Sequence, residues 1–155
     1  RSNTKHFRKS FLNLVRALSM KVFFQDIQVS TRNRTELVDI TPSVEETVRK
    51  SETRNGLCII HSVRSTTAII VNEHEAGLAK DIVKKIQQDY PRGAGWLHDK
   101  VDDNADAHLA SSFIGPTRAF PVRDGRLERG TWQNIFLLEL DGPCARRIAI
   151  EVMGE

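Results

Sequence analysis

The sequence predicts an α+β fold: a single domain in which a mostly antiparallel sheet forms a β-sandwich-like arrangement with flanking helices. The 155 residues are enough for one domain with a substantial core. Apolar residues make up 39% and charged residues 28%, an ordinary balance for a folded chain. Predicted elements follow one another as strands, helix, strands, helix and strands, which differs from the strict alternation of a doubly wound sheet.

Residues 22–29 and 36–40 are rich in β-branched and aromatic residues and flank a polar turn, so we expect a hairpin of two strands. Thr41 as N-cap and Pro42 in the first turn suit the start of a helix that runs to about Arg54. An amphipathic pattern predicts a second helix over residues 75–90.

The remaining apolar segments, each bounded by turn residues, are predicted as strands over 56–62, 66–72, 133–140 and 146–153. The last two are expected to pair as a hairpin around Asp141-Gly142-Pro143. The segment between His98 and His108, which is rich in Asp and Asn, is interpreted as loop-like.

The first 22 residues hold six of the 23 basic residues and none of the 20 acidic ones. Residues 3–18 show a helical apolar stripe that includes Phe7, Phe11, Leu14 and Leu18. We favour a helix docked on the domain or on a partner; a membrane-surface helix and a targeting leader remain alternatives. The predicted organisation is therefore an extension over 1–19 and a domain over 20–155.

The rest of the chain carries 17 basic and 20 acidic residues, so the pI of about 9.1 reflects the N-terminal segment. With only 6% aromatic residues, a nucleic-acid-binding face has little support. No stretch approaches the roughly 20 apolar residues of a membrane span. Two distant cysteines make no disulfide scaffold, and a cytoplasmic location is expected.

The segment from His98 to His108 holds two histidines and four aspartates in eleven residues. Imidazoles bind zinc well, and nearby carboxylates can orient them. The alternative is a solvated acidic loop. Under the metal hypothesis the two imidazoles share one pocket, with their rings less than about 10 Å apart, a generous limit for zinc–nitrogen bonds of about 2 Å.

Arg64 lies in an apolar stretch, where a guanidinium is costly unless it is paired or offered to a phosphate or carboxylate. Glu73 ends the next strand and could pair with it, ligate a metal or serve as an acid or base. His61 is three residues before Arg64, and strand alternation would place the two side chains on opposite faces. Arg123 and Asp124 belong to a turn-rich basic stretch that is either an anion-binding corner or a polar loop with ion pairs.

Several segments, in this order, resemble those of the YjbQ family, often called secondary thiamine-phosphate synthases. The matching segments are Thr67–Glu73, His98-Asp99, Asn104–His108, Gly115, Pro121–Gly125 and Gly130–Gln133. The resemblance covers roughly residues 21–155. It implies a compact α+β fold, a homotrimer, and a histidine-containing metal or ligand site near a subunit interface. It also implies a possible weak activity that joins a thiazole phosphate to a pyrimidine pyrophosphate.

The resemblance assigns His98 and His108 to metal binding or proton transfer, with zinc or magnesium as the divalent metal. Where the family has a third histidine, an ungapped match places Arg64. A guanidinium does not ligate a metal, so this departure favours a phosphate-bearing ligand. Arg64 and Arg123 would stabilise anions, Asn104, Asp106 and Asp124 would position the histidines, and Glu73 and Gln133 would contact ligand.

The leading hypothesis is a homotrimeric, thiamine-phosphate synthase-like transferase whose catalytic residues are His98, His108, Arg64 and Asp106. The alternative is a non-catalytic homotrimer that binds a metal or a small phosphorylated ligand in the same pocket. A third hypothesis is an interaction module in which the basic N-terminal helix is the functional part.

Overall fold

Two antiparallel sheets form the centre of the structure, a computed structural model that describes residues 8–12, 15 and 19–155. The five-stranded sheet has the order β1 (Lys21–Ser30), β8 (Ala145–Gly154), β3 (Gly56–Ser62), β5 (Thr117–Arg123), β6 (Arg126–Leu127). The three-stranded sheet has the order β2 (Glu36–Asp39), β7 (Asn134–Glu139), β4 (Thr67–Asn72). This arrangement confirms the predicted α+β class with antiparallel sheets.

Within residues 19–155, three α-helices and one 3₁₀ helix flank the sheets: α1 (Thr41–Ser51), α2 (Ala76–Asp89), the 3₁₀ helix (Leu97–Lys100) and α3 (Ala105–Ile114). Pro42 lies in the first turn of α1, where its missing N–H is not needed. The expected N-cap role of Thr41 was wrong, because Ile40 is the cap residue and Asp39 Oδ1 accepts the Thr41 N–H at 2.8 Å. The helix also ends at Ser51, earlier than Arg54, with Glu52 in the left-handed conformation.

The main core lies between the two sheets and α1. Branched apolar side chains from the inner faces fill it, among them Ile60, Ile69, Leu137 and Ile150, all fully buried or nearly so. A smaller core on the other face of the three-stranded sheet joins Ala68 and Leu138 to α3. The sheets therefore have unequal surroundings: helices cover the three-stranded sheet, and the outer face of the five-stranded sheet is more open.

Both predicted hairpins were wrong. Strand β1 pairs along its whole length with β8, while β2 pairs with β7 in the other sheet. For the same reason β7 and β8 do not pair: the chain around Asp141-Gly142-Pro143 crosses from one sheet to the other. A turn motif shows only that the chain reverses; the burial of two apolar faces decided which strands became neighbours.

An apolar band runs across the outer face of the five-stranded sheet. The pairing register aligns two rows of side chains over four strands: Val22, Met153, Leu57, Pro121 and Phe24, Glu151, Ile59, Ala119. Phe24 is 69% exposed. We use the name apolar band for these eight residues, of which Glu151 is the only charged one.

Part of the predicted N-terminal helix is described: residues 8–12 and 15 are helical, and Phe11 is exposed. The other residues named for docking, Phe7, Leu14 and Leu18, lie outside the described residues. Over residues 8–12, 15 and 19–155, no helix combines the length and the apolar character that crossing a membrane requires.

Candidate functional site

A cleft of about 460 Å³ opens where the end of β3 meets α3. The residues that matter for its chemistry come from β3, from the loop that follows it and from α3: His61, Arg64, Ser65, His108, Ser112 and Pro116. We call it the arginine–histidine cleft. It has the two imidazoles and the guanidinium on its walls and no aspartate or glutamate among its lining residues, so its local charge favours an anion.

His98 packs against His108, and their ring centroids are 4.8 Å apart with an angle of 77° between the planes. This distance confirms that the two imidazoles meet, but of the two only His108 is among the described residues that line the cleft. The loop-like interpretation of the segment was wrong, because His98 lies on the 3₁₀ helix and His108 on α3. Asp99 Oδ1 accepts the N–H of Ala105 at 3.1 Å, which satisfies a backbone donor at the start of α3 and ties the two helices together.

Arg64 lies in the loop Val63–Thr66 rather than on a strand. Because β3 ends at Ser62, strand alternation does not extend to Arg64, and His61 shares the cleft with it. The regular strand on which the opposite-face expectation depended therefore ends before Arg64. The guanidinium of Arg64 makes no hydrogen bond or ion pair with any residue in the described part of the chain. An exposed, unpaired guanidinium keeps its five donors available for a ligand.

Backbone and side-chain contacts hold the Arg64 loop at both ends. Thr67 Oγ1 donates to the carbonyl of Arg64 at 3.3 Å, and Leu140 N–H donates to the carbonyl of Thr66 at 3.2 Å. The guanidinium of Arg146 also donates to Thr66 Oγ1 at 3.3 Å. The loop is thus anchored to both sheets, which fixes the backbone that carries Arg64.

Arg146 belongs to a buried ion pair that sequence analysis missed. Its Nε and Nη2 atoms donate to the two carboxylate oxygens of Glu139 at 2.7 and 2.6 Å. Thr31 Oγ1 and the N–H groups of Leu140 and Asp141 donate to the same carboxylate at 2.9 Å. Burial alone would raise the pKa of Glu139, but the Arg146 contact and these further donors hold it below its ordinary value. A glutamate inside an apolar strand pattern was the available sequence signal.

Asp106, predicted as a catalytic residue, faces Arg34 rather than the two histidines. Arg34 donates to both of its carboxylate oxygens, at 2.7 and 3.1 Å. Burial would raise the pKa of Asp106, and the hydrogen bonds and charge of Arg34 outweigh it and lower that pKa. Since Asp106 and His108 are two residues apart on a helix, their side chains point about 200° apart around its axis.

Asn104, the residue before α3, is buried and donates to Asp141 Oδ2 at 2.8 Å. Its Oδ1 atom is buried and has no hydrogen-bond partner among the described residues. Asn104 and Asp106 therefore anchor the first turn of α3 to the Arg34 and Asp141 side. They fix the position of His108 through the helix and form no hydrogen bond with either imidazole.

The structure places the other predicted ligand residues away from the cleft of the same chain. Glu73 is exposed just after β4, on the three-stranded sheet. Arg123 and Asp124 are at the opposite end of β5 from Pro116, roughly 20 Å away at about 3.3 Å per residue. Arg123 pairs there with Glu128 at 2.9 Å. The amide of Gln133 closes its own turn by accepting the Gly130 N–H at 2.7 Å.

The fold and the cleft together define a small two-sheet α+β protein with a cationic surface cleft between a strand end and a helix. A family model described as "UPF0047 protein YjbQ-like" matches residues 25–155. The chain belongs to this YjbQ-like family, as its sequence motifs indicated.

Relatives and solved structures agree with this assignment. A UPF0047 protein of Archaeoglobus fulgidus is 41% identical over 128 residues, which cover 83% of this chain and 99% of the relative. The crystal structure of a YbjQ-like protein of unknown function from Sulfolobus solfataricus P2 matches with a TM-score of 0.87 and 54% identity, over 88% of this chain and 100% of that one. A hypothetical protein from Aeropyrum pernix K1 matches with a TM-score of 0.83 and 39% identity, over 85% and 98%.

Proposed function

We propose that the arginine–histidine cleft binds a small phosphorylated ligand. The observation that carries this proposal is the wall chemistry: Arg64, His61 and His108 line one cleft that has no carboxylate on its walls. A phosphoryl group gains charge-assisted hydrogen bonds from guanidinium and imidazolium groups. Its oxygens also point in several directions, which suits donors on several walls better than a planar carboxylate does.

The chemistry we propose for this ligand is the transfer that the family resemblance implies. A thiazole phosphate joins a pyrimidine pyrophosphate: a carbon–nitrogen bond forms, a carbon–oxygen bond breaks and pyrophosphate leaves. Negative charge develops on the departing pyrophosphate, and a fixed guanidinium such as that of Arg64 stabilises it. His108 borders the same space and would hold or move a proton there. A binding protein with the same cleft but no turnover is the alternative.

A divalent metal would be held by the His98 and His108 pair. Their ring separation of 4.8 Å lets two nitrogens approach one ion. Among the described residues, however, no group of three or more His, Cys, Asp or Glu side chains is arranged to hold a metal. Arg64 also repels a cation beside it. Imidazole suits zinc better than magnesium, which prefers oxygen ligands, and the proposed transfer does not depend on either.

The proposed partner of the chain is itself, as a homotrimer. The apolar band supports this, because an exposed sheet face with two apolar rows is typical of a surface that another protein covers. A trimer would also let a neighbouring copy bring Arg123, Asp124 and Gln133 to the cleft. A cytoplasmic location remains part of the proposal and is consistent with two free cysteines, Cys58 and Cys144.

Assembly can be tested by measuring mass in solution. Phe24→Glu places a second carboxylate opposite Glu151, its cross-strand neighbour, and should break the assembly. Removal of residues 1–19 should leave a trimer, since the apolar band lies entirely in the domain. If the truncated protein is a monomer, the N-terminal extension is the assembly device instead.

Phosphate binding and turnover decide between the two functions. We expect Arg64→Gln to weaken the binding of inorganic phosphate, measured by calorimetry, with Arg92→Gln as a control because Arg92 is paired with Asp103 outside the cleft. His108→Gln should abolish product formation from the two phosphorylated substrates while some phosphate affinity survives. Phosphate binding without any turnover in the unmodified protein would support the binding protein, and no phosphate binding at all would overturn both.

A further inference from the structure

His61 lines the cleft from the sheet itself, because it belongs to β3, next to Ser62 at the end of that strand. It lies on the outer face of β3, directly across from Thr117 on β5, at the edge of the apolar band. His61 borders the same cleft as Arg64 and His108, and Val63 and Ser65 line that cleft as well. Sequence analysis noted His61 but gave it no role in the site, because strand alternation would have turned it away from Arg64.

The Nδ1 atom of His61 is already engaged, 2.8 Å from Thr117 Oγ1. This contact fixes the rotation of the ring and leaves Nε2 as the only nitrogen able to meet a ligand. With the Thr117 hydroxyl donating to Nδ1, the neutral ring carries its proton on Nε2 and donates from that side. A Nδ1–H that donates to Thr117 leaves Nε2 as a lone-pair acceptor, and only a protonated ring then donates from both nitrogens.

Resting on the proposed function, we propose that His61 is a third anion-binding group of the cleft, and that it donates from Nε2 to a phosphoryl oxygen. His61 supplies an imidazole from the sheet. The site would otherwise lack one there, because Arg64 occupies the position of a family histidine. Thr117 is then a positioning residue that acts through His61. The resulting arrangement, guanidinium from the loop, imidazole from β3 and imidazole from α3, surrounds a tetrahedral anion from three elements.

A three-imidazole metal site is the competing use of His61, and the structure argues against it. The charge of Arg64 lies in the same cleft and repels a cation. The described part of the chain also contains no grouping of three metal-binding side chains. An anion satisfies Arg64 and the imidazoles at once.

The test is calorimetric titration of inorganic phosphate into the full chain and its variants. His61→Gln should weaken phosphate binding about tenfold, the effect of losing one hydrogen bond to a charged ligand. Thr117→Val should weaken it less, and Thr117→Ser should restore it because the hydroxyl returns. His74→Gln is the matched control: the Nδ1 atom of His74 also has a hydrogen-bond partner, Asp39 on the three-stranded sheet, and His74 lies in the loop after β4.

A spectroscopic measurement covers the case in which a variant folds poorly. In the unmodified protein, phosphate should shift the NMR signal of the His61 Nε2 nitrogen, while that of His74 stays unchanged. If Arg64→Gln loses phosphate binding but His61→Gln binds as the unmodified protein does, His61 is not part of the site and the proposed function survives. If zinc rather than phosphate moves the His61 signal, the competing metal site is correct. Absence of any phosphate binding overturns the proposed function and this inference together.

Discussion

Two arginines near each other in the fold illustrate opposite uses of the same side chain. Arg146 is buried, only 5% exposed, and its guanidinium is matched by the carboxylate of Glu139. Arg64 is exposed in the cleft, and no carboxylate of the described residues pairs with it. A fully paired buried charge holds the native structure together and has nothing left for a ligand, whereas an unpaired charge on a rigid loop adds little to stability and remains available.

The two regions are also connected. Arg146 donates to Thr66, which ends the loop that carries Arg64. The buried pair therefore supports the backbone of the binding loop as well as the junction of the two sheets. We therefore expect substitutions at the buried pair to change the free energy of unfolding. Substitutions at the cleft should instead change the affinity for a ligand.

The largest effect is expected from Glu139→Gln. The substitution leaves Arg146 buried without a counter-charge and should lower the free energy of unfolding by about 3–5 kcal/mol, measured by urea denaturation. Glu128→Gln is the matched control, because its ion pair with Arg123 is largely exposed and such pairs contribute only about 0–1 kcal/mol. Equal losses from both substitutions would show that burial does not distinguish the two pairs.

The second largest effect is expected at the exposed arginine, Arg64. Arg64→His should weaken phosphate binding at least tenfold, since a charge-assisted contact is worth about 1.5–3 kcal/mol, and should strengthen zinc binding by adding an imidazole beside His108. The free energy of unfolding should change by less than about 0.5 kcal/mol, as for most surface substitutions.

Titration with phosphate and with zinc, each into both proteins, measures these changes. Arg64→Lys serves as a control, because it keeps the positive charge and loses only the planar fork. If the unmodified protein binds zinc as tightly as the histidine variant and phosphate affinity does not change, Arg64 points away from the site and the ungapped match to the family is wrong.

The smallest expected effect is a difference in acid sensitivity. The pKa values of Glu139 and Asp106 are lowered in the folded protein, each against the raising effect of burial, by Arg146 and Arg34 respectively. Carboxyl groups with a lowered folded pKa stabilise the protein fully above their ordinary values, 4.5 and 3.8. This stability is lost as pH falls through those values toward the folded pKa.

Urea denaturation as a function of pH measures that dependence. Asp106→Asn should reduce the slope of stability against pH below about pH 4, where this carboxyl takes up a proton in the unfolded chain while it stays ionised in the folded protein. Arg64→Gln should leave the slope unchanged, because the described residues that line the cleft include no carboxylate. A slope that depends on Arg64 would mean that the cleft contributes a charge pair to the folded state.

The sequence by itself determined the fold class, the family and most element positions. The periodicity of branched apolar residues fixed β3 at residues 56–62 and placed α2 within one residue at each end of the predicted 75–90. The polar segment between His98 and His108, together with the family resemblance, indicated that these two histidines would meet. These features depend on local composition and spacing, which the chain carries wherever it folds.

Only the tertiary structure decided which strands pair, which charges are buried and which side chains share the cleft. The turns before β2 and β8 predict reversals, but burial of two apolar faces sent those strands to different sheets. Glu139 lies in an apolar strand pattern, but its pairing with Arg146, seven residues later, and the burial of both charges follow from the packing of the two sheets. His61 and Arg64 share a wall because β3 ends between them, a boundary that long-range pairing sets and that alternation along the sequence does not contain.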